Sequence, residues 1–200
     1  PGAGKTTLLN AINGVAPADT GDVIFNGLSF HQLLMEDKSL VGIVPQDDLV
    51  LPELTVEESL FFSGRLRLHP STSEEEIWTQ VNRVLAELDI EHIRSQRIGD
   101  ALRRGISGGQ RKRVNLGQEL ISSTTRILFL DEPTSALDMT VQSQIIDLLL
   151  DLQLKNNLSY IFISHDLKVI KAISDNIIVM KSGDIIESGT KSEIFNNPKK

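Results

Sequence analysis

The 200-residue sequence contains no cysteine, which excludes disulfide bonds, thiolate metal sites and a cysteine nucleophile. Its apolar runs are far too short to cross a bilayer, and no signal-peptide pattern opens the chain. The sequence has fewer positive than negative side chains, with 20 Lys and Arg and 27 Asp and Glu. The resulting net charge of −7 argues against a general nucleic-acid-binding protein. An acidic nucleotide remains a possible ligand, because a phosphate site needs only local dipoles and one or two cations.

The chain is long enough for one domain with a hydrophobic core, or for one domain that carries a small inserted subdomain; 40% of its residues are hydrophobic. The short apolar run at residues 127–130 ends in Asp131 and Glu132. Such a run between turn-forming residues predicts a buried parallel strand, and its carboxyl end is where open α/β sheets bind ligands. One carboxylate there can hold Mg²⁺, and the next can orient or deprotonate an attacking water.

The first seven residues, PGAGKTT, contain most of the phosphate-loop motif G-x-x-x-x-G-K-[ST]. In this motif, glycines let backbone N–H groups surround the β-phosphate, and the following helix directs its positive end at it. We expect Lys5 to reach the β- and γ-phosphates, Thr6 to bind Mg²⁺ and Thr7 to contact the α-phosphate. The first glycine of the motif would precede Pro1, so we interpret the sequence as an N-terminally truncated fragment.

Three further segments contribute polar groups to the same prediction. Gln46 follows a strand predicted over residues 40–44, where its amide could reach both Mg²⁺ and a water. Ser107 predicts a helix N-cap, and the two glycines after it expose N–H groups as a second anion site, which is useful if two copies face each other. His165 follows a strand predicted over residues 160–163 and could donate a hydrogen bond to a γ-phosphate.

Residues 54–122 are predicted to form a helical insertion within the α/β domain. Thr55 and Ser73 are typical N-caps, and each is followed by glutamates in the first helical turn. Trp78 lies on the apolar face of the second helix, which favours a position in the core or against a partner over stacking on a nucleotide.

These motifs resemble, in their order, those of the nucleotide-binding domain of ABC transporters, and the resemblance covers essentially the whole chain. It comprises the phosphate loop, the Gln loop at Gln46, the signature at residues 107–110, the Asp-Glu strand, the Asp loop at Asp138 and the switch His165. The resemblance implies an α/β fold: a P-loop NTPase (RecA-like) parallel-sheet core with an inserted α-helical signature subdomain. Residues 1–200 would form one ABC ATPase domain, and Glu132 would activate the hydrolytic water.

The resemblance also assigns the site residues. The catalytic positions are Glu132, His165 and Gln46, and the Mg²⁺ ligands are Thr6, Gln46 and Asp131. The positions assigned to ATP are Gly2, Ala3, Gly4, Lys5, Thr6, Thr7, Ser107, Gly108, Gly109, Gln110 and Asp138. ATP and Mg²⁺ are the implied cofactors.

The implied partners are a second ABC ATPase domain and a transmembrane permease domain or subunit, with no nucleic acid. Two chains would form a head-to-tail dimer that holds each ATP between one phosphate loop and the other signature. Closing and reopening of the dimer would drive transport from the cytoplasmic face of the cell membrane, with the permease docked near the Gln loop.

Other classes that share some of these motifs remain as alternatives. ABC-type ATPases of DNA repair carry a long coiled coil or a zinc insertion between Gln loop and signature, whereas this chain has about sixty residues there with no cysteine and no sustained heptad pattern. An ABC-type translation factor needs two such domains and a basic linker. A simple nucleotide kinase would explain the phosphate loop but not the signature.

Three departures from the family pattern are visible. The strand before the phosphate loop and the aromatic that stacks on adenine are expected to precede Pro1, and Ile106 replaces the usual Leu of the signature. The front of the chain, at residues 45–48, 51–56 and 104–114, resembles the G-type subfamily and its bacterial relatives. The back, at residues 135–138, 141–142, 164–167 and 193–198, resembles oligopeptide and dipeptide importer ATPases. This switch motivates the hypothesis of a chimera joined at about residues 128–138. The two halves point to different cargo, export or lipid-type from the front and peptide uptake from the back.

Overall fold

The computed structural model describes residues 2–16, 18–100, 103 and 105–197. Three residues of the sequence motifs, Pro1, Arg104 and Pro198, lie outside the described residues. Among the described residues, no helix is long and apolar enough to cross a membrane.

Helices and strands alternate through most of the chain. The helices are α1 (Lys5–Ile12), α2 (Phe30–Glu36), α3 (Val56–Arg67), α4 (Glu74–Glu87), α5 (Gly108–Leu120), α6 (Met139–Asn156), α7 (Leu167–Ile173) and α8 (Lys191–Asn196). The strands are β1 (Ile24–Phe25), β2 (Leu28–Ser29), β3 (Val41–Val44), β4 (Ile127–Asp131), β5 (Ser159–Ile163), β6 (Asn176–Lys181) and β7 (Asp184–Thr190). Single 3₁₀ turns lie at Lys38–Leu40 and Glu91–Ile93.

The strands β3, β4 and β5 form a parallel sheet with β4 in the middle. All five residues of β4 are buried, as its continuous apolar run predicts. Alternate side chains of β4 pack on opposite faces of the sheet. Leu128 and Leu130 belong to a hydrophobic cluster built largely from α3 to α6. Ile127 and Phe129 belong to a second cluster, which includes Leu9 of α1. The sheet is therefore covered on both faces, and the predicted α/β core is confirmed.

Two antiparallel hairpins accompany the parallel sheet, β1 with β2 and β6 with β7. Asn26 and Gly27 turn the first, with φ values of 51° and 81°, and Ser182 and Gly183 turn the second, with 51° and 92°. Positive φ at both central residues suits the right-handed twist of the strands that such turns connect.

The helices α3, α4 and α5 pack against one another beside the sheet. Thr55 and Ser73 begin α3 and α4 with reciprocal capping hydrogen bonds to Glu58 and Glu76, as predicted. Trp78 stacks on Phe61 with ring centroids 4.8 Å apart and packs against the core, which confirms its predicted place there.

The sequence-based prediction misses two short helices. The seven-residue helices α2 and α7 were not predicted, because so short a segment spans too few turns to show a 3.6-residue period. The first helix ends at Ile12, with Asn13 as its C-cap and Gly14 next with a φ of 80°.

Candidate functional site

One cleft of about 500 Å³ gathers most of the predicted site. Its lining residues are Gly2, Ala3, Gly4, Lys5, Thr6, Thr7, Gln46, Asp131, Glu132 and His165. The parallel sheet explains why these distant residues meet, since β3, β4 and β5 end at one edge. Gln46 follows the end of β3, Asp131 and Glu132 stand at the end of β4, and His165 follows the end of β5. Each predicted catalytic and Mg²⁺-ligating residue lines this cleft.

The phosphate loop leaves the start of α1 free for a ligand. Gly2 and Gly4 have φ values of 77° and 83°, a left-handed conformation that side chains disfavour, so this loop shape requires glycine. The N-cap of α1 makes no side-chain capping hydrogen bond, whereas α3, α4, α5 and α8 each carry a reciprocal cap. The first N–H groups of α1, with the positive end of its dipole, therefore face the cleft as a phosphate site would need.

Thr6 and Asp131 provide a site suited to Mg²⁺. The Thr6 hydroxyl donates a hydrogen bond to Asp131 Oδ2 at 2.8 Å, and Asp131 is buried at the end of β4. A hydroxyl beside a carboxylate offers the hard oxygen ligands that Mg²⁺ prefers. Among the described residues, no three His, Cys, Asp or Glu side chains are arranged so that they could hold a metal ion together. Most of the coordination would therefore come from phosphate and water oxygens, as is usual for Mg²⁺.

Glu132 and His165 form a direct pair beside the Mg²⁺ ligands. His165 Nδ1 lies 2.8 Å from Glu132 Oε2; the Glu132 side chain is 12% exposed, whereas that of His165 is 77% exposed. Glu132 has a φ of 49°, a conformation that costs a side-chain-bearing residue free energy and often marks a functional position. Its backbone is held there by a hydrogen bond from its N–H to the Ile163 carbonyl at 3.0 Å.

The signature segment, residues 107–110, begins helix α5. Ser107 Oγ accepts the Gln110 N–H at 3.2 Å, and Gln110 Oε1 accepts the Ser107 N–H at 2.9 Å. The Gln110 side chain is therefore engaged by its own backbone, which leaves the N–H groups of the two glycines as the groups an anion would meet. Gly109 cannot be replaced without movement, because a Cβ there would lie 2.6 Å from Val141 Cγ1.

The signature segment and the phosphate loop do not meet within one chain. Ser107, Gly109 and Gln110 line a second cleft of about 220 Å³, which shares no lining residue with the first. Neither Gly108 nor Asp138 lines either cleft. The Asp138 carboxylate caps α6 by accepting the N–H groups of Thr140 and Val141, each at 3.0 Å, so this predicted ATP contact has a structural role in the single chain.

The sequence analysis missed a buried polar network behind the first cleft. Lys112 of α5 has a side chain only 4% exposed, and its ammonium donates to the Gln46 carbonyl at 3.0 Å and to Asp48 Oδ1 at 2.8 Å. Asn115 Nδ2 donates to the same carboxylate oxygen at 3.0 Å. No signal in one sequence predicts this pairing, since the partners are more than sixty residues apart and Lys112 stands in a basic run typical of a solvated surface.

Comparison with known proteins agrees with this geometry. A family model described as ABC transporter matches residues 1–135. Similar curated proteins include the ABC-type transporter claG of Penicillium crustosum, 36% identical over 190 residues, and the peptidoglycan transport ATP-binding protein YejF of Agrobacterium fabrum, 38% identical over 204 residues. ABC transporter G family member 28 of Arabidopsis thaliana is 38% identical over 197 residues. These matches cover 94%, 98% and 96% of this chain.

A solved structure is also similar. It is cbiO1 from Clostridium perfringens, described as part of the ABC transporter complex cbiONQ, with 29% sequence identity and a TM-score of 0.82. The match covers 98% of this chain and 76% of that chain.

The chain spans 25%, 36% and 17% of the lengths of the three curated relatives. A G-family protein and a transport ATP-binding protein both match almost the whole chain, so these matches do not divide it, and the chimera hypothesis stays a prediction. The match over residues 1–135 includes the phosphate loop, Gln46, Asp131 and Glu132 of the first cleft, and the signature segment of the second. On this combined evidence the chain belongs to the ABC transporter family.

Proposed function

We propose that the first cleft binds ATP with Mg²⁺ and hydrolyses it, and that the chain serves as the ATP-driven part of a transporter. The observation that carries this proposal is the Glu132–His165 pair, at 2.8 Å, in the same cleft as the phosphate loop and the Thr6–Asp131 pair. A carboxylate and an imidazole beside a phosphate site are the groups that position and activate a water for phosphoryl transfer.

The mechanism assigns a role to each of the main polar groups of the cleft. The N–H groups at the start of α1 and the Lys5 ammonium hold the β- and γ-phosphates, and Thr6 and Asp131 hold Mg²⁺. When bound, the ion withdraws charge from the phosphate oxygens. The Gln46 amide orients the attacking water, and Glu132 accepts its proton.

The exposed His165 imidazole is within reach of both Glu132 and a bound phosphate. Its Nδ1 lies 2.8 Å from the Glu132 oxygen that would receive the proton of the water. A γ-phosphate carries more negative charge and more acceptor oxygens than a carboxylate, so it is the stronger hydrogen-bond partner for the imidazole. With ATP bound, His165 would therefore donate to the γ-phosphate and leave Glu132 to act on water.

The second half of the proposal is a head-to-tail pair of chains. The signature segment offers open N–H groups at a helix start but lies in a different cleft from the phosphate loop of its own chain. Pairing two chains head to tail places each signature segment over the nucleotide held by the other. Asp138 then lies at the same interface, where its cap fixes the start of α6.

We further propose that the start of the helical insertion, residues 54 to about 88, docks a membrane-spanning permease together with the segment after Gln46. Large apolar side chains are exposed on α3 and on that segment, and such side chains can form a docking surface. They are Leu49, Leu51, Phe62 and Leu66. A chain docked in this way would lie at the cytoplasmic face of the membrane.

Replacing Glu132 by Gln tests the hydrolytic assignment. In the full-length gene product, we expect phosphate release from ATP and Mg²⁺ to fall about 100-fold or more, because the amide cannot accept the proton of the water. Binding of a fluorescent ATP analogue should be retained. The matched control is Glu91→Gln, which changes an exposed glutamate in a 3₁₀ turn outside both clefts and should hydrolyse at the unmutated rate. Equal rates in the Glu132→Gln and unmutated proteins would refute the assignment.

A further inference from the structure

Lys112 occupies an unusual environment for a lysine. Its side chain is almost wholly buried in α5, although lysine is among the residues least often buried. Burying an ammonium costs much free energy unless it is paired and hydrogen-bonded, and here the carboxylate of Asp48 and the carbonyl of Gln46 supply both. Such a group is costly to dislodge, so Lys112 and its two partners move little relative to one another.

This network joins two functional segments that lie in different clefts. Asn115, one turn along α5 from Lys112, donates to the same oxygen of Asp48. Two donors on one helix therefore bind one carboxylate. The signature segment begins that same helix, and the Gln46 side chain lines the nucleotide cleft. The distance along α5 from Lys112 to the signature segment is less than one turn.

The network is also the main polar attachment of the loop that carries Gln46. Within the described residues, the hydrogen bonds that tie the stretch from residue 45 to residue 50 to another element are those from Lys112 and Asn115. Pro45 has no N–H to donate. The main-chain position of Gln46 is therefore set by α5 rather than by the sheet beyond β3.

We propose that Lys112 is a positioning residue that couples Gln46 at one nucleotide to the signature segment offered to the other. Because Lys112 binds the main chain of Gln46 directly, a displacement of Gln46 on nucleotide binding pulls the start of α5 with it. The signature segment then reaches the position for pairing only when the first cleft of the same chain holds nucleotide. This coupling rests on the proposed function, and an ion pair that merely stabilised α5 would not produce it.

The test measures hydrogen exchange of residues 107–110 in the full-length protein, with and without ATP and Mg²⁺. In the unmutated protein, nucleotide should change the exchange rate at these residues about five- to 100-fold, the range of ordinary coupling free energies. In Lys112→Met, which keeps the apolar stem and removes the donors, ATP analogue should still bind while this response is lost. Hydrolysis should fall about tenfold or more because the signature segment no longer follows Gln46.

Two further variants separate coupling from simple stability. Asp48→Asn weakens the attachment on the loop side, and it replaces the Met variant if that one fails to fold. The double variant Lys112→Gln with Asp48→Asn can restore a neutral amide hydrogen bond without a buried charge, and we expect it to recover the exchange response. The matched control is Arg94→Gln, which breaks the 2.7 Å pair with Glu57 in the same helical region. The hydrogen bonds of Arg94 within the described residues go to neither Gln46 nor α5.

A response in Lys112→Met equal to that of the unmutated protein would overturn the coupling, as would an equal loss in Arg94→Gln. Nucleotide binding without any exchange response in the unmutated protein would also overturn it while leaving the proposed function intact. Absence of nucleotide binding in the unmutated protein would instead refute the proposed function.

Discussion

The backbone of Ala136 is strained, and its side chain cannot offset this strain. Ala136 has a φ of 59°, in the left-handed region, and lies exposed in the loop between Glu132 and α6. Asparagine and aspartate tolerate this conformation because their side chains can bond to the local backbone, whereas alanine has no such compensation.

Replacing Ala136 by Gly should therefore stabilise the protein. We expect the free energy of unfolding to rise by about 0.5–1 kcal/mol, the relief of left-handed strain less the added freedom of glycine in the unfolded chain. Urea denaturation measures it. The matched control is Ala86→Gly, an exposed position in the last turn of helix α4, which should lose up to about 1 kcal/mol because glycine has a lower helix propensity than alanine. Destabilisation at both positions would contradict the strain at Ala136.

Among the helices and strands, the longer segments with a recognisable start or stop residue were the ones that the sequence predicted. The helices α3, α4 and α5 begin at Thr55, Ser73 and Ser107 as predicted, because each start has a side-chain acceptor followed three residues later by a Glu or Gln. The motif residues of the first cleft were likewise predictable, since parallel strands end at one edge. The Lys112 network was not, because it depends on how α5 packs against a distant loop.

The outer edge of β3 is closed by side chains, which sequence patterns do not reveal. Glu119 of α5 accepts the Ile43 N–H at 2.8 Å, and Arg67 of α3 donates to the Val41 carbonyl at 3.0 Å. The two side chains also pair with each other at 2.9 Å. Backbone groups on this edge are thus partnered, which protects the sheet from pairing with another chain.

Glu119 makes stability depend on pH. Burial raises the pKa of Glu119, and the nearby Arg67 charge and the Ile43 N–H only partly oppose this shift. The folded protein therefore holds a proton on Glu119 more readily than the unfolded chain does. Its contribution to stability is fully present below the unfolded pKa and is lost as pH rises through the folded pKa.

Replacing Glu119 by Gln removes this titration while keeping an oxygen for the Ile43 N–H. We expect the free energy of unfolding of the variant, relative to the unmutated protein, to increase from about pH 5 to about pH 8. Other titrating groups cancel in this difference, which urea denaturation at several pH values provides. A difference that stays constant or falls with increasing pH would contradict the raised pKa.

The whole molecule carries two half-sites that face different clefts. The phosphate loop, Gln46, Asp131, Glu132 and His165 meet in one, and the signature segment lies in the other. The family resemblance predicted the members of both groups and a head-to-tail pair in which each signature segment faces the other chain's phosphate loop. The structure adds that the two groups line different clefts of one chain. This separation supports the proposed pairing, since a second ATPase domain would complete each site.

Light scattering of the Glu132→Gln protein with and without ATP and Mg²⁺ tests this central claim most directly. The substitution should keep nucleotide bound and unhydrolysed, so the paired state accumulates. We expect a molar mass that doubles with ATP and Mg²⁺ and stays at the monomer value with ADP, because only the γ-phosphate spans the two chains. A monomer at saturating ATP, with nucleotide shown to be bound, would contradict the account of two half-sites completed by a second copy.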